Sequence, residues 1–160
     1  MKIRLESKEC KDTEKIASII NSFLDEGDLL LLSGNLGSGK TVFVKGFCQN
    51  LIKNFQDPVV SPTFTLIKEY DLEKKIYHID LYRIENISEL EELGIYEFCN
   101  KDGITLVEWA DKFSDYFKDS TYMNISLIVL EDDKREIVIN FSKDFDKDKE
   151  ENILKALKNY

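Results

Sequence analysis

The chain has 160 residues, the length of one compact domain spanning 1–160, and its 42% hydrophobic and 33% charged content, with seven glycines and two prolines, excludes a disordered or low-complexity polymer. A domain of this size buries roughly 70% of its unfolded surface and needs no disulfide or metal staple. Thirty-one acidic against twenty-two basic side chains give a formal charge of −9, which repels a phosphate backbone and argues against a direct nucleic-acid partner.

The three cysteines, Cys10, Cys48 and Cys99, are odd in number and form no C-x-x-C pair, so a reducing, cytoplasmic setting is expected. His78 is the single histidine, which leaves too few ligands for a Cys/His zinc site. The apolar runs Leu29–Leu32 and Leu127–Leu130 are far shorter than the roughly 20 residues a spanning helix needs, and the N-terminus has no apolar signal core. No membrane role is expected.

In chain order, Ile16, Ile19, Ile20, Phe23 and Leu24 keep the spacing of a helix with one buried face, and Gly27 stands where a C-terminal cap belongs. Leu29–Leu32 reads as a strand buried on both faces. A helix from Lys40 to about Lys53 would turn Val44, Phe47 and Leu51 inward. Phe64–Tyr70 and Lys75–Asp80 read as strands around a turn at Asp71–Lys74. Ser88 and Glu91 have capping-box spacing for a short helix that ends near Gly94. Ile104–Glu108 is an apolar strand, and a helix is expected from Trp109 to about Phe117. Met123–Leu130 and Glu136–Phe141 form a predicted hairpin through Asp132–Lys134, followed by a final helix over Lys147–Lys158. This alternation predicts an α/β fold.

The strongest chemical signal is Gly34-Asn35-Leu36-Gly37-Ser38-Gly39-Lys40-Thr41, a full G-x-x-x-x-G-K-[ST] match between a predicted strand and helix. Its glycines let successive N–H groups face a phosphate. The helix start adds free N–H groups, Lys40 a cation for the β and γ phosphates, and Thr41 a hydroxyl for Mg²⁺. The expected architecture is a P-loop NTPase-like three-layer fold, with a mostly parallel central sheet and an added antiparallel hairpin. A Ras-like GTPase would carry D-x-x-G, yet no glycine here follows an aspartate by three residues. Asn100-Lys101-Asp102 places its aspartate one position early for the guanine-reading motif, so ATP is favoured.

Asp80 and Glu108 each end an apolar strand, where the ligand crevice of an open α/β sheet lies. One is expected to hold Mg²⁺ and the other to orient the attacking water. His78 is expected to be a packed strand residue, because ATP hydrolysis needs positioning more than proton abstraction. Arg4, Arg83 and Arg135 are the only arginines, so a transition-state clamp comes from one of them, from lysine or from a partner.

The phosphate loop is followed by Ser61-Pro62-Thr63-Phe64-Thr65-Leu66, His78-Ile79-Asp80-Leu81-Tyr82-Arg83, Glu92-Leu93-Gly94-Ile95 and Leu106-Val107-Glu108-Trp109-Ala110-Asp111-Lys112. In this order and length, the chain resembles the bacterial TsaE (YjeE) family. The resemblance implies an ATPase that works with the TsaD and TsaB proteins to place threonylcarbamoyl on the adenosine beside the tRNA anticodon, with tRNA reached only through those partners. It further implies that Gly34, Gly37, Ser38, Gly39, Lys40 and Thr41 hold phosphates, that Thr41 and Glu108 hold Mg²⁺, and that Asp80 supports catalysis together with Lys40 and Glu108. Thr63, Trp109 and Arg135 would contact or sense the nucleotide, while Cys10 and Thr13 lie where the resemblance is least distinctive. Two other readings remain open, a P-loop small-molecule kinase and a non-hydrolysing ATP-gated binding module.

Overall fold

The computed structural model describes residues 2–49, 51, 58–99, 102–131 and 133–160. Seven strands form one sheet: β1 (Lys2–Ser7), β2 (Leu29–Ser33), β3 (Ile67–Asp71), β4 (Lys75–Asp80), β5 (Ile104–Glu108), β6 (Met123–Glu131) and β7 (Lys134–Phe141). Their spatial order is β1-β7-β6-β2-β5-β4-β3. The centre, β6-β2-β5-β4, is parallel, while β3, β7 and β1 add antiparallel neighbours.

Helices lie on both sheet faces and give three layers. α1 (Cys10–Asn21), α2 (Lys40–Gln49) and α5 (Lys147–Lys158) cover one face, where Ile16, Ile20, Phe43, Phe47, Ile153 and Leu157 meet Leu30, Leu32, Leu106 and Ile125. On the other face, α3 (Ile87–Leu93), α4 (Ile95–Cys99) and a 3₁₀ turn at Ala110–Phe113 bring Leu90, Ile95, Phe113 and Phe117 against Leu29, Leu31, Ile79 and Val107. All of β2 is buried, which is why its sequence is apolar at alternate and intervening positions alike. α1 and α2 approach so closely that a Cβ on Gly46 would lie 2.2 Å from Glu14 Cα. Among the described residues no helix is long and apolar enough to cross a membrane.

Several boundaries differ from those expected. α1 ends at Asn21, with Ser22 as its cap, so the buried Leu24 lies beyond the helix. Gly27, at φ +90°, instead donates its N–H to the Gly103 carbonyl at 2.8 Å. β3 starts at Ile67 and not Phe64, because Leu66 is left-handed (φ 65°) and donates its N–H to the Pro62 carbonyl. The cap of α3 is Asn86, whose side chain accepts from the Glu89 N–H at 3.1 Å and donates to the Glu89 carboxylate at 2.6 Å. That reciprocal pair lies two residues before the expected Ser88 and Glu91. Trp109 is left-handed at φ 62°, which breaks the chain direction after β5 and leaves only a 3₁₀ turn where a helix to Phe117 was expected. The part of the predicted second helix that falls on Asn50, Ile52 and Lys53 lies outside the described residues. β4, β5 and α5 have the expected limits.

Candidate functional site

The loop between β2 and α2 carries Gly34, Gly37 and Gly39 at φ +139°, +76° and +103°, conformations that side chains with a Cβ rarely adopt. Gly34 is also required by contact, since a Cβ there would lie 2.4 Å from the Leu127 carbonyl oxygen of β6. The loop therefore curls against β6 and aims the N-terminus of α2 at the sheet's carboxyl edge.

Lys40 opens α2 and is 4% exposed. Its Nζ donates to the carbonyls of Gly34 at 2.7 Å and Asn35 at 3.1 Å, which leaves one of three ammonium protons for a ligand. The Trp109 ring centroid is 3.7 Å from the same Nζ, a cation–π contact. Burial pulls the ammonium below the ordinary lysine range, opposed by the negative charges of Glu108, Asp111 and Asp80. An anion entering the loop would replace the lost hydration.

The parallel register of β4 and β5 sets Asp80 beside Glu108. Glu108, 3% exposed, receives two donors on Oε1: Thr41 Oγ1 at 3.0 Å and His78 Nε2 at 2.8 Å. Asp80, 1% exposed, accepts from the hydroxyls of Ser61 and Thr63 on Oδ2, the latter at 2.9 Å, and from the Tyr82 N–H on Oδ1 at 2.9 Å. The two acids thus have different direct donors, Glu108 from α2 and β4, Asp80 from the segment that precedes β3 and from the backbone just after β4.

A cavity of about 380 Å³ opens between them. Gly37, Gly39, Lys40 and Thr41 form its loop side, and Thr63, Asp80, Glu108 and Trp109 form the wall opposite. Gly34 and Ser38 shape the loop from behind, and Ser38 Oγ is buried with no hydrogen-bond partner among the described residues. Arg135 grips the loop's outer side, donating from Nε to the Ser38 carbonyl at 3.1 Å and from Nη2 to that of Gly37 at 3.3 Å. A second cavity of about 80 Å³ adjoins it, where Cys10 and Thr13 meet Arg135. Arg83 is exposed, with its guanidinium 5.3 Å from the Phe64 ring centre.

Among the described residues no three His, Cys, Asp or Glu side chains gather as a metal cage. The cation chemistry available is a hydroxyl and a carboxylate beside a phosphate loop, the sparse oxygen set that suits Mg²⁺ completed by phosphate and water. Ser61 was visible in sequence only as part of a motif, with no role attached. His78 is a packed strand residue as expected, fully buried, but its bond to Glu108 depends on strand order and could not be read from spacing.

A parallel-centred α/β sheet with a phosphate-loop motif between β2 and α2 defines the P-loop NTPase-like class. Residues 7–137 match the family model described as "Threonylcarbamoyl adenosine biosynthesis protein TsaE". The chain is 34% identical over 137 residues to the TsaE protein of Treponema pallidum, covering 86% of this chain and 99% of that relative. It is 41% identical over 128 residues to the Bacillus subtilis protein of the same description, covering 79% and 78%. The crystal structure of YdiB from Bacillus subtilis superposes with a TM-score of 0.78 at 29% identity, covering 99% of this chain and 96% of that one. The chain belongs to the TsaE family.

Proposed function

We propose that this protein binds ATP with Mg²⁺, hydrolyses it to ADP and phosphate, and acts with the TsaD and TsaB proteins in placing threonylcarbamoyl on the adenosine next to the tRNA anticodon. The observation that carries the ATPase reading is the 3.0 Å contact of Thr41 Oγ1 with Glu108 Oε1 beside the Lys40 ammonium. A hydroxyl and a carboxylate oxygen this close form the hard-oxygen pair that would hold Mg²⁺, directly or through water. Thr41 and Glu108 would hold Mg²⁺ there, and the ion would supply positive charge against the β and γ phosphate oxygens. Lys40 uses its remaining proton on the same oxygens, and the α2 N-terminus supplies further N–H donors. Asp80, fixed by Ser61, Thr63 and the Tyr82 N–H, faces the same cavity and orients the attacking water.

The relatives' description as tRNA threonylcarbamoyladenosine biosynthesis proteins supports the pathway. A charge of −9 supports reaching tRNA through partners. The test is product analysis after incubation with ATP and Mg²⁺, alone and with TsaD and TsaB. ADP and free phosphate are expected. A phosphorylated acceptor would make the protein a kinase, and unconverted ATP in the presence of the partners would make it a binding module.

A further inference from the structure

We infer that His78 is a positioning residue that fixes the Glu108 carboxylate for cation binding and couples it to the backbone at Val60. This inference rests on the ATPase reading and deepens it by placing a determinant of metal affinity outside the phosphate loop. His78 is fully buried, and its Nε2 lies 2.8 Å from Glu108 Oε1. The carboxylate oxygen accepts, so Nε2–H donates to it, and in that tautomer Nδ1 is the ring's acceptor. Nδ1 faces the Tyr70 hydroxyl at 3.4 Å, and that hydroxyl is 3.2 Å from the Val60 carbonyl. The hydroxyl has one proton for these two acceptors.

Val60 immediately precedes Ser61, and Ser61 and Thr63 bind Asp80. One short segment is therefore tied to both acids, to Asp80 by its own hydroxyls and to Glu108 through Tyr70 and His78. A movement of this segment changes the share of the Tyr70 proton that His78 receives. It thereby changes how firmly the imidazole holds Oε1. Groups that orient a metal ligand from behind typically change metal affinity 10–100-fold when removed. A ring that merely filled space in β4 would have no effect specific to the cation.

The experiment measures ADP affinity by calorimetry at graded Mg²⁺ in wild type, His78→Leu and His78→Gln, with melting curves to verify folding. His78→Leu should raise the Mg²⁺ needed for half-maximal tightening at least tenfold, while Mg²⁺-free ADP affinity stays within about twofold. His78→Gln, whose amide can still donate to Oε1, should return the requirement to within about threefold of wild type. A folded His78→Leu protein with wild-type Mg²⁺ dependence would overturn the inference and leave the ATPase reading intact. Wild-type ADP binding that ignores Mg²⁺ would overturn both. The sole histidine also gives a single ¹⁵N-imidazole spectrum in the unmodified protein, which keeps the test decisive if His78→Leu does not fold. An Nε2–H tautomer whose signal moves with Mg²⁺ and ADP together, more than with ADP alone, is expected. A signal indifferent to Mg²⁺ would overturn the inference.

Discussion

Lys40 stands with two of its protons on loop carbonyls, so the third is held in place for an anion at the loop. Its truncation in Lys40→Ala removes a charge-assisted contact of about 1.5–3 kcal/mol, a ten- to hundredfold loss of ATP affinity readable by calorimetry. The two acids should separate by their metal response. Glu108→Ala and Asp80→Ala both lower turnover, but only Glu108→Ala raises the Mg²⁺ concentration required, and the reverse pattern would exchange their roles. The thiols divide as well. Burial pushes Cys48 and Cys99 up to about 12, whereas Cys10 is exposed. One thiol should react quickly with an aromatic disulfide reagent at pH 8, and two more only in denaturant. Above the ordinary thiol value of 9.0 the unfolded chain loses these two protons while the folded chain keeps them. The folded state then binds more protons, so the contribution of these thiols to stability falls as pH rises from 9 toward 12.

At the scale of elements, the contact of α1 with α2 holds the phosphate-loop helix in place. Gly46→Ala sets a methyl 2.2 Å from Glu14 Cα, where neither backbone can give way cheaply. A cost near 3 kcal/mol and a fall in melting temperature of roughly 6–12 °C are expected by calorimetric scanning. An unchanged melting temperature would contradict so close a helix crossing. Legibility in the sequence followed the strength of local signals. β4, β5 and α5 were readable because apolar runs or helical spacing stop at charged residues. β1 is not legible from local signals: its Ile3 and Leu5 alternate with charged residues, and among the described residues its sheet partner is β7, far along the chain. The helix expected after Trp109 failed because that residue takes a left-handed conformation and lays its ring on Lys40, a tertiary contact that no local propensity encodes. The loop residues Gly34 to Thr41 were legible because their chemistry is consecutive. Thr41 and Glu108 were expected together from the resemblance, whereas the bond of His78 to Glu108 joins β4 to β5 and only the strand order reveals it.

Across the whole molecule, none of the three arginines lines the 380 Å³ cavity: Arg4 pairs with Glu136 between β1 and β7, Arg83 stacks on Phe64, and Arg135 grips the outer side of the loop. Charge developing on a transferred γ-phosphoryl is commonly met by a cation that arrives in trans. Phosphate release by the isolated protein should therefore be slow and should rise when TsaD and TsaB are added. Full turnover without them would contradict this arrangement. The same sheet order bears on how the protein is made. β2 is flanked by β5 and β6, and Arg4 meets Glu136 across 132 residues of chain. A polypeptide emerging from the ribosome thus displays the whole Gly34–Thr41 motif long before β6 can pair with β2 or Arg135 can reach the Gly37 and Ser38 carbonyls. Nascent chains stalled before Met123 should fail to retain ATP, and retention should begin only once the β6–β7 hairpin has left the exit tunnel.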